Sequence, residues 1–208
     1  MKQEVLSAYE SEKFLGRYIS IPQSQLVRKF SEITLKTPLV LKIVSPQAVH
    51  KSDLGLIKIV HNKAEIENSF NNIITEAKNN NLKIDGILVQ EFVEGEQFII
   101  GLKKDPVFNH VILFGLGGVF TELLEDISIR KCPITLADAQ SMIEELKSSK
   151  IFHGFRNIKL NTPLLKDTLV VISNITQKHK EIKELDINPF ILNAKDGKAV
   201  DVRIVLEK

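Results

Sequence analysis

Apolar residues along the chain fall into two kinds of pattern, stripes at helical spacing and short runs dense in β-branched residues, and the two kinds predict different elements. Over residues 3–18, Val5, Tyr9, Phe14 and Leu15 recur at roughly helical intervals until Ile21-Pro22, which predicts one helix. Between 64 and 80, Ile66, Phe70, Ile73, Ile74 and Ala77 form a second stripe, closed by a run of asparagines. Thr135 opens a third, in which Asp138 can complete a capping interaction ahead of Ala139, Met142, Ile143 and Leu146. Thr162-Pro163 opens a fourth, with Thr as N-cap and Pro at the first helical position.

The β-type runs are as regular. PLVLKIV, 38–44, is nearly all apolar, as a central strand requires, yet it contains Lys42. A loop, SPQAVHKSDLG, leads to a second strand over 56–60. Runs at 84–93, 97–103 and 110–114 are separated by Glu94-Gly95 and Lys104-Asp105-Pro106, and such short turns predict an antiparallel meander. The chain closes with a hairpin, 184–192 and 199–206, around Asn193-Ala194-Lys195-Asp196-Gly197. The expected class is therefore α+β with mainly antiparallel sheet.

Composition narrows this picture without changing it. At 208 residues the expectation is one body with two lobes, approximately 20–92 and 93–208. No apolar run approaches a membrane span and the first residues carry no hydrophobic signal region, so a cytoplasmic location is expected. Cys132 is the single cysteine, which excludes an internal disulfide and a Cys-rich zinc site. With 28 basic and 26 acidic side chains, no tryptophan, and tyrosine only at positions 9 and 18, neither the charge nor the aromatic content suggests a nucleic-acid surface.

Four places carry candidate chemistry. In ELDINPF, Asp186 and Asn188 share one strand face by period-two alternation, and the returning AVDVRIV can bring Asp201 alongside, although spacing alone leaves the register open. Two carboxylates and an amide oxygen form a hard oxygen set that suits Mg²⁺; the same spacing also suits an ordinary charged sheet surface. Lys42 in an apolar strand needs compensation, which a phosphate would supply, or else lies at an edge and snorkels to water. FGLGGVFTELLED places Gly115, Gly117 and Gly118 after a strand, either for phosphate approach or for a tight strand exit; it is neither a P-loop nor a dinucleotide fingerprint. His50, followed by Lys51, Ser52 and Asp53, is a candidate nucleophile towards phosphorus, while His61, His110, His153 and His179 read as surface residues.

Taken together, VLKIVSPQAVHKSDLG, ILVQEFV, FIIGLKKDPVF, FGLGGVFTELLEDIS and ELDINPF with AVDVRIVL resemble the ATP-grasp (beta) subunit of ADP-forming acetyl-CoA synthetases, over nearly the whole chain. The resemblance implies a single ATP-grasp module, 1–208, whose two α+β lobes grip a nucleotide. It implies an acetate–CoA ligase (ADP-forming) that works as one subunit of a hetero-oligomer, with Mg²⁺ as cofactor, ATP/ADP as substrate and a CoA-binding alpha subunit carrying the first phosphohistidine. His50 would be a second phosphoryl carrier. Lys42 would contact phosphates, and Asp186, Asn188 and Asp201 would hold the metal. Gln90, Glu91, Phe92 and Val93 would form the adenine hinge, and Glu96, Gln97, Gly117, Gly118 and Arg130 would line the nucleotide and phosphoryl path.

Two departures accompany the resemblance. Leu56 stands where the family has a second glycine, and Gln97 where it has a glutamate. They leave two other readings open. One is a regulatory or scaffold subunit without turnover; the other is a carboxylate-amine ligase of the same superfamily, against which the HKSD loop and the missing substrate domain speak.

Overall fold

The computed structural model describes residues 3–45, 47, 54–118 and 125–207. They form two compact units, Pro22–Val93 and a second made of Met1–Ile21 with Glu94–Lys208.

In the Pro22–Val93 unit, strands β2 (Ser24–Val27), β3 (Leu39–Val44), β4 (Ile57–Val60) and β5 (Gly86–Glu91) make an antiparallel sheet in the order β2-β5-β3-β4. Helix α2 (Ile66–Asn79) lays the predicted stripe, Ile66, Phe70, Ile73 and Ala77, against Leu39, Leu41, Ile43, Ile87 and Val89. Every residue of β3 is buried, which is why it reads as an unbroken apolar run. The expected meander is corrected here. β5 does not continue into the next two strands but lies between β2 and β3, with Gln90 opposite Ser24 on one side and Val40 on the other. A short turn specifies that the chain reverses; which strands then pair is decided by burial of the apolar faces, and β5 buries its own in this unit.

The other unit is built on a sheet in the order β1-β11-β9-β6-β7-β8, with β10 pairing β9. Its strands are β1 (Gln3–Val5), β6 (Glu96–Asp105), β7 (Asn109–Leu116), β8 (Ile127–Lys131), β9 (Ile182–Leu192), β10 (Gly197–Ala199) and β11 (Val202–Glu207). Helices α3 (Leu136–Glu144) and α4 (Thr162–Lys178) bury one face, packing Met142, Ile143, Leu169 and Ile172 on Phe98, Ile100, Phe114, Leu185 and Ile187. The side chains that alternate with these sheet residues occupy the opposite, open face.

Three local expectations change. The helix expected over 3–18 is a strand followed by a helix, α1 (Ala8–Leu15). Ser7 caps α1, its hydroxyl accepting from the Glu10 amide at 3.2 Å while the Glu10 carboxylate accepts from the Ser7 amide at 2.9 Å. Val5 is drawn into pairing with Val205. In α4 the N-cap is Asn161, which accepts from the Leu164 amide at 3.1 Å, so Pro163 is the second helical residue. The terminal hairpin is broken into β10 and β11, and Asp201 lies between them. The Thr135–Asp138 capping box of α3 forms with both of its bonds.

Candidate functional site

Asp186 and Asn188 stand two apart on β9, on the open face, because the residues between and beside them, Leu185 and Ile187, belong to the helix-covered core. Pro189 has no amide hydrogen, and the β9 ladder is interrupted there. β11 pairs up to Val202 opposite Ile187, and β10 takes over at Ala199 opposite Phe190. In the gap the Asn188 amide donates to the Asp201 carbonyl and the Val200 amide to the Pro189 carbonyl, both at 3.1 Å. This sets Asp201 level with Asn188 and resolves the register that spacing leaves open.

The electrostatics of this corner are set by burial and by like charge. Burial first, then the neighbouring Asp201 carboxylate, push the Asp186 carboxyl above its ordinary range, and Glu184 adds a little; Arg203 pulls the other way. Two neighbouring carboxylates, Asp186 on β9 and Asp201 between β10 and β11, with the amide oxygen of Asn188, are of the hard-donor type that suits a divalent cation, with water and phosphate oxygens completing its shell. Among the described residues no group of three or more His, Cys, Asp or Glu side chains could hold a metal ion by itself.

The glycine segment follows β7. The Gly117 amide donates to the Gln97 carbonyl at 2.8 Å, and a Cβ at position 117 would stand 2.8 Å from backbone of Gln97. At Gly115 a Cβ would be 2.5 Å from the Asp126 carbonyl. Close backbone approach therefore accounts for both glycines, whatever ligand is present. Gly115→Ala is expected to cost about 1–3 kcal/mol of stability, read from urea denaturation. Gly118 has a left-handed backbone, φ 80°, next to the Gln97 side chain. Residues 119–124, including Glu122, lie outside the described residues.

Alternation puts Gln97 on the open face and Glu96 on the other. Arg130 also belongs to the helix-covered face, because it pairs with the core residue Ile112. Its guanidinium is ion-paired to Glu145 and donates to the Ile129 carbonyl at 2.9 Å. The Arg130 hydrogen bond, and then that of Ser128, hold the Glu145 carboxyl below its ordinary range. Arg130 thus braces the end of α3 on β8, and the structure does not bring it to Asp186. Among the histidines, His110 is buried rather than superficial, 2.8 Å from the Ile182 carbonyl, and His179 lies between Tyr18 and Glu181.

In the other unit Lys42 is only 5% exposed, and its ammonium donates to Oε1 of the fully buried Gln90 at 2.8 Å. Both occupy the sheet face turned away from α2, since Val40 pairs with Gln90 and Lys42 with Leu88. At the end of β5 the Glu91 amide donates to the Gln23 carbonyl at 2.9 Å and the Phe92 amide to the Pro38 carbonyl at 3.2 Å. Both are thus committed within the unit. Leu56 is fully buried in the core, so the side chain at that position fills the interior, and the left-handed turn falls on Gly55 instead. His50, with Lys51, Ser52 and Asp53, lies outside the described residues.

Residues 1–206 match the ATP-grasp domain family. The chain is 37% identical over 208 residues to the beta subunit of acetate–CoA ligase [ADP-forming] I of Pyrococcus furiosus, aligning 95% of itself with 90% of that subunit. It is 39% identical over 173 residues to acetate–CoA ligase [ADP-forming] I of Archaeoglobus fulgidus, where it spans 25% of the relative's length. Among solved structures, dinucleotide forming acetyl-coenzyme A synthetase 1 of Ca. Korarchaeum cryptofilum, in complex with coenzyme A and Ca-AMPCP, superposes with a TM-score of 0.94 at 40% identity, covering 98% of this chain and 94% of that one. The same synthetase has been solved with Mg-AMPPCP and its phosphohistidine segment pointing towards the nucleotide binding site, with a TM-score of 0.86.

Proposed function

Because the chain belongs to the ATP-grasp family and, within it, to the beta subunits of ADP-forming acetate–CoA ligases, we propose that it is the nucleotide-binding subunit of an ADP-forming acyl-CoA synthetase that passes a phosphoryl group to ADP. The observation that carries this reading is the corner at Asp186, Asn188 and Asp201, two mutually repelling carboxylates and an amide where β9 meets the connection from β10 to β11. These residues would hold Mg²⁺. When bound, the ion neutralises charge on the di- or triphosphate as the phosphoryl group moves.

The chain's own residues supply the rest. Lys42 contributes a cation to the phosphates, pre-positioned by Gln90. The Glu91 and Phe92 amides are committed, so the Val93 amide is the hinge donor assigned to adenine in this reading. Gly117, Gly118 and Gln97 border the phosphoryl path. His50 takes the phosphoryl group from the phosphohistidine of a CoA-binding partner subunit; its N–P bond then breaks as an oxygen of the ADP β-phosphate forms the new P–O bond, and the electron pair returns to the imidazole. The reading places the chain in the cytoplasm, where ADP, phosphate and acyl-CoA meet. Among the described residues no helix is long and apolar enough to cross a membrane. Leu56, one of the two departures behind the scaffold reading, is accounted for by core packing.

The test combines the chain with a CoA-binding subunit, acetyl-CoA, phosphate and Mg-ADP and follows ATP. Wild type is expected to form ATP, and His50→Ala to form it far more slowly. Equal rates would remove His50 from the path, and no ATP with any CoA-binding subunit would favour the scaffold.

A further inference from the structure

Asp186 has two cross-strand neighbours that belong to neither the metal set nor the glycine loop, Gly101 of β6 and Arg203 of β11. Across the open face one row of the sheet reads Ile129, Leu113, Gly101, Asp186, Arg203.

Gly101 differs from the other glycines near this corner. Gly115 and Gly117 are required by backbone approach, and Gly118 by its left-handed φ. At Gly101 a Cβ would sit 3.8 Å from the Leu113 side chain and 3.9 Å from the Leu185 carbonyl, ordinary contacts, and the backbone is not left-handed. A glycine inside a strand costs about 0.5–1 kcal/mol relative to alanine. Nothing among the described residues repays that cost, whereas a strand glycine beside a ligand lets the ligand approach the sheet. Its neighbour on β9 is Asp186, the half-buried carboxylate proposed above to hold the cation.

Arg203 is the cation of this row. Its side chain is 58% exposed, with a 3.5 Å contact to Glu184, and its charge acts on Asp186. Asp186 and Asp201 together already cancel the charge of a divalent ion, so a diphosphate chelated there brings uncompensated negative charge to the open face. A guanidinium one strand away, able to bind two phosphate oxygens at once, is suited to meet it.

We infer that Gly101 and Arg203 are the two sides of a phosphate bed centred on Asp186: Gly101 keeps clear the space that the metal-chelated phosphates fill, and Arg203 binds their terminal oxygens. This rests on the nucleotide reading proposed above. It assigns Gly101 a role in ligand clearance, and Arg203 a role in distinguishing di- and triphosphates from nucleosides.

The experiment is calorimetric titration of Mg-ADP and, separately, adenosine into wild type, Gly101→Ala, Gly101→Val, Arg203→Gln and Arg203→Lys, with thermal melting of each. Arg203→Gln is expected to weaken Mg-ADP by about tenfold, the scale of one charge-assisted contact, with Arg203→Lys recovering part of the loss. Gly101→Val is expected to weaken it by about tenfold as well, and Gly101→Ala by less, although alanine should raise the melting temperature. Adenosine affinity should stay within about twofold throughout. If wild type binds no Mg-ADP, the nucleotide reading falls and this inference with it. If wild type binds and the variants bind equally well, or if adenosine affinity falls in parallel with Mg-ADP, only this inference is overturned. Should the valine variant fail to fold, the alanine and arginine variants decide alone.

Discussion

Asp186→Asn is expected to weaken Mg-ADP binding by at least about a hundredfold while making the metal-free chain more stable at neutral pH. The first effect follows from removing one of two anionic ligands. The second follows from the carboxyl's own titration. Burial and Asp201 raise its native value above the ordinary aspartate range, so between the two values the folded chain holds a proton that the unfolded chain has released. Stability contributed by this group is therefore fully present below the ordinary range and is lost as pH rises through the raised native value. In melts with a chelator between about pH 4 and pH 8, the wild type should lose stability across that interval relative to Asp186→Asn, and the two should converge in acid. Excess Mg-ADP should stabilise wild type at neutral pH and leave the variant unchanged. A variant less stable than wild type at neutral pH would show that Asp186 is held by favourable partners rather than crowded.

How far the sequence reveals this corner depends on the residue. Asp186 and Asn188 are legible because alternation in a strand is rigid. β3 is legible because six consecutive buried positions leave a nearly unbroken apolar run. Asp201 needs the structure, since its position depends on where Pro189 interrupts the ladder. The Ser7–Glu10 capping box is present as a plain S-x-x-E signal, but a loose helical stripe reaching back to Val5 masks it. β8 inverts the usual rule. Ile127 and Ile129 are 40% and 50% exposed on the open face, whereas Ser128 and Arg130 turn to the helix-covered side and meet Glu145. Binary patterning assigns those faces the other way round, and with them the role of Arg130. β5 is recognisable as a strand while the identity of the strands it pairs with is not, because turn length does not encode pairing.

The other large effect is expected at Lys42. Lys42→Met keeps the length of the side chain and removes a nearly buried ammonium, which costs several kcal/mol to desolvate. Against that, Gln90 Oε1 loses a 2.8 Å donor, a penalty of about 1–3 kcal/mol. The two nearly cancel, so the urea denaturation free energy should change by no more than about 1 kcal/mol or rise slightly. Mg-ADP affinity should nonetheless fall by up to about a hundredfold, the upper end for losing charge-assisted contacts to phosphate. A strongly destabilised variant would mean that the lysine serves the fold. Unchanged affinity would mean that the phosphates lie elsewhere.

Asp186, Asn188 and Asp201 are expected to hold the metal of a nucleotide site on this chain. The most direct measurement is a calorimetric titration of ADP into the isolated chain, with Mg²⁺ and with a chelator, for wild type and Asp201→Asn. Wild type is expected to show one saturable site that needs Mg²⁺, and the variant to lose it. Binding that is indifferent to Mg²⁺ and to residue 201, or no binding at all, would contradict it.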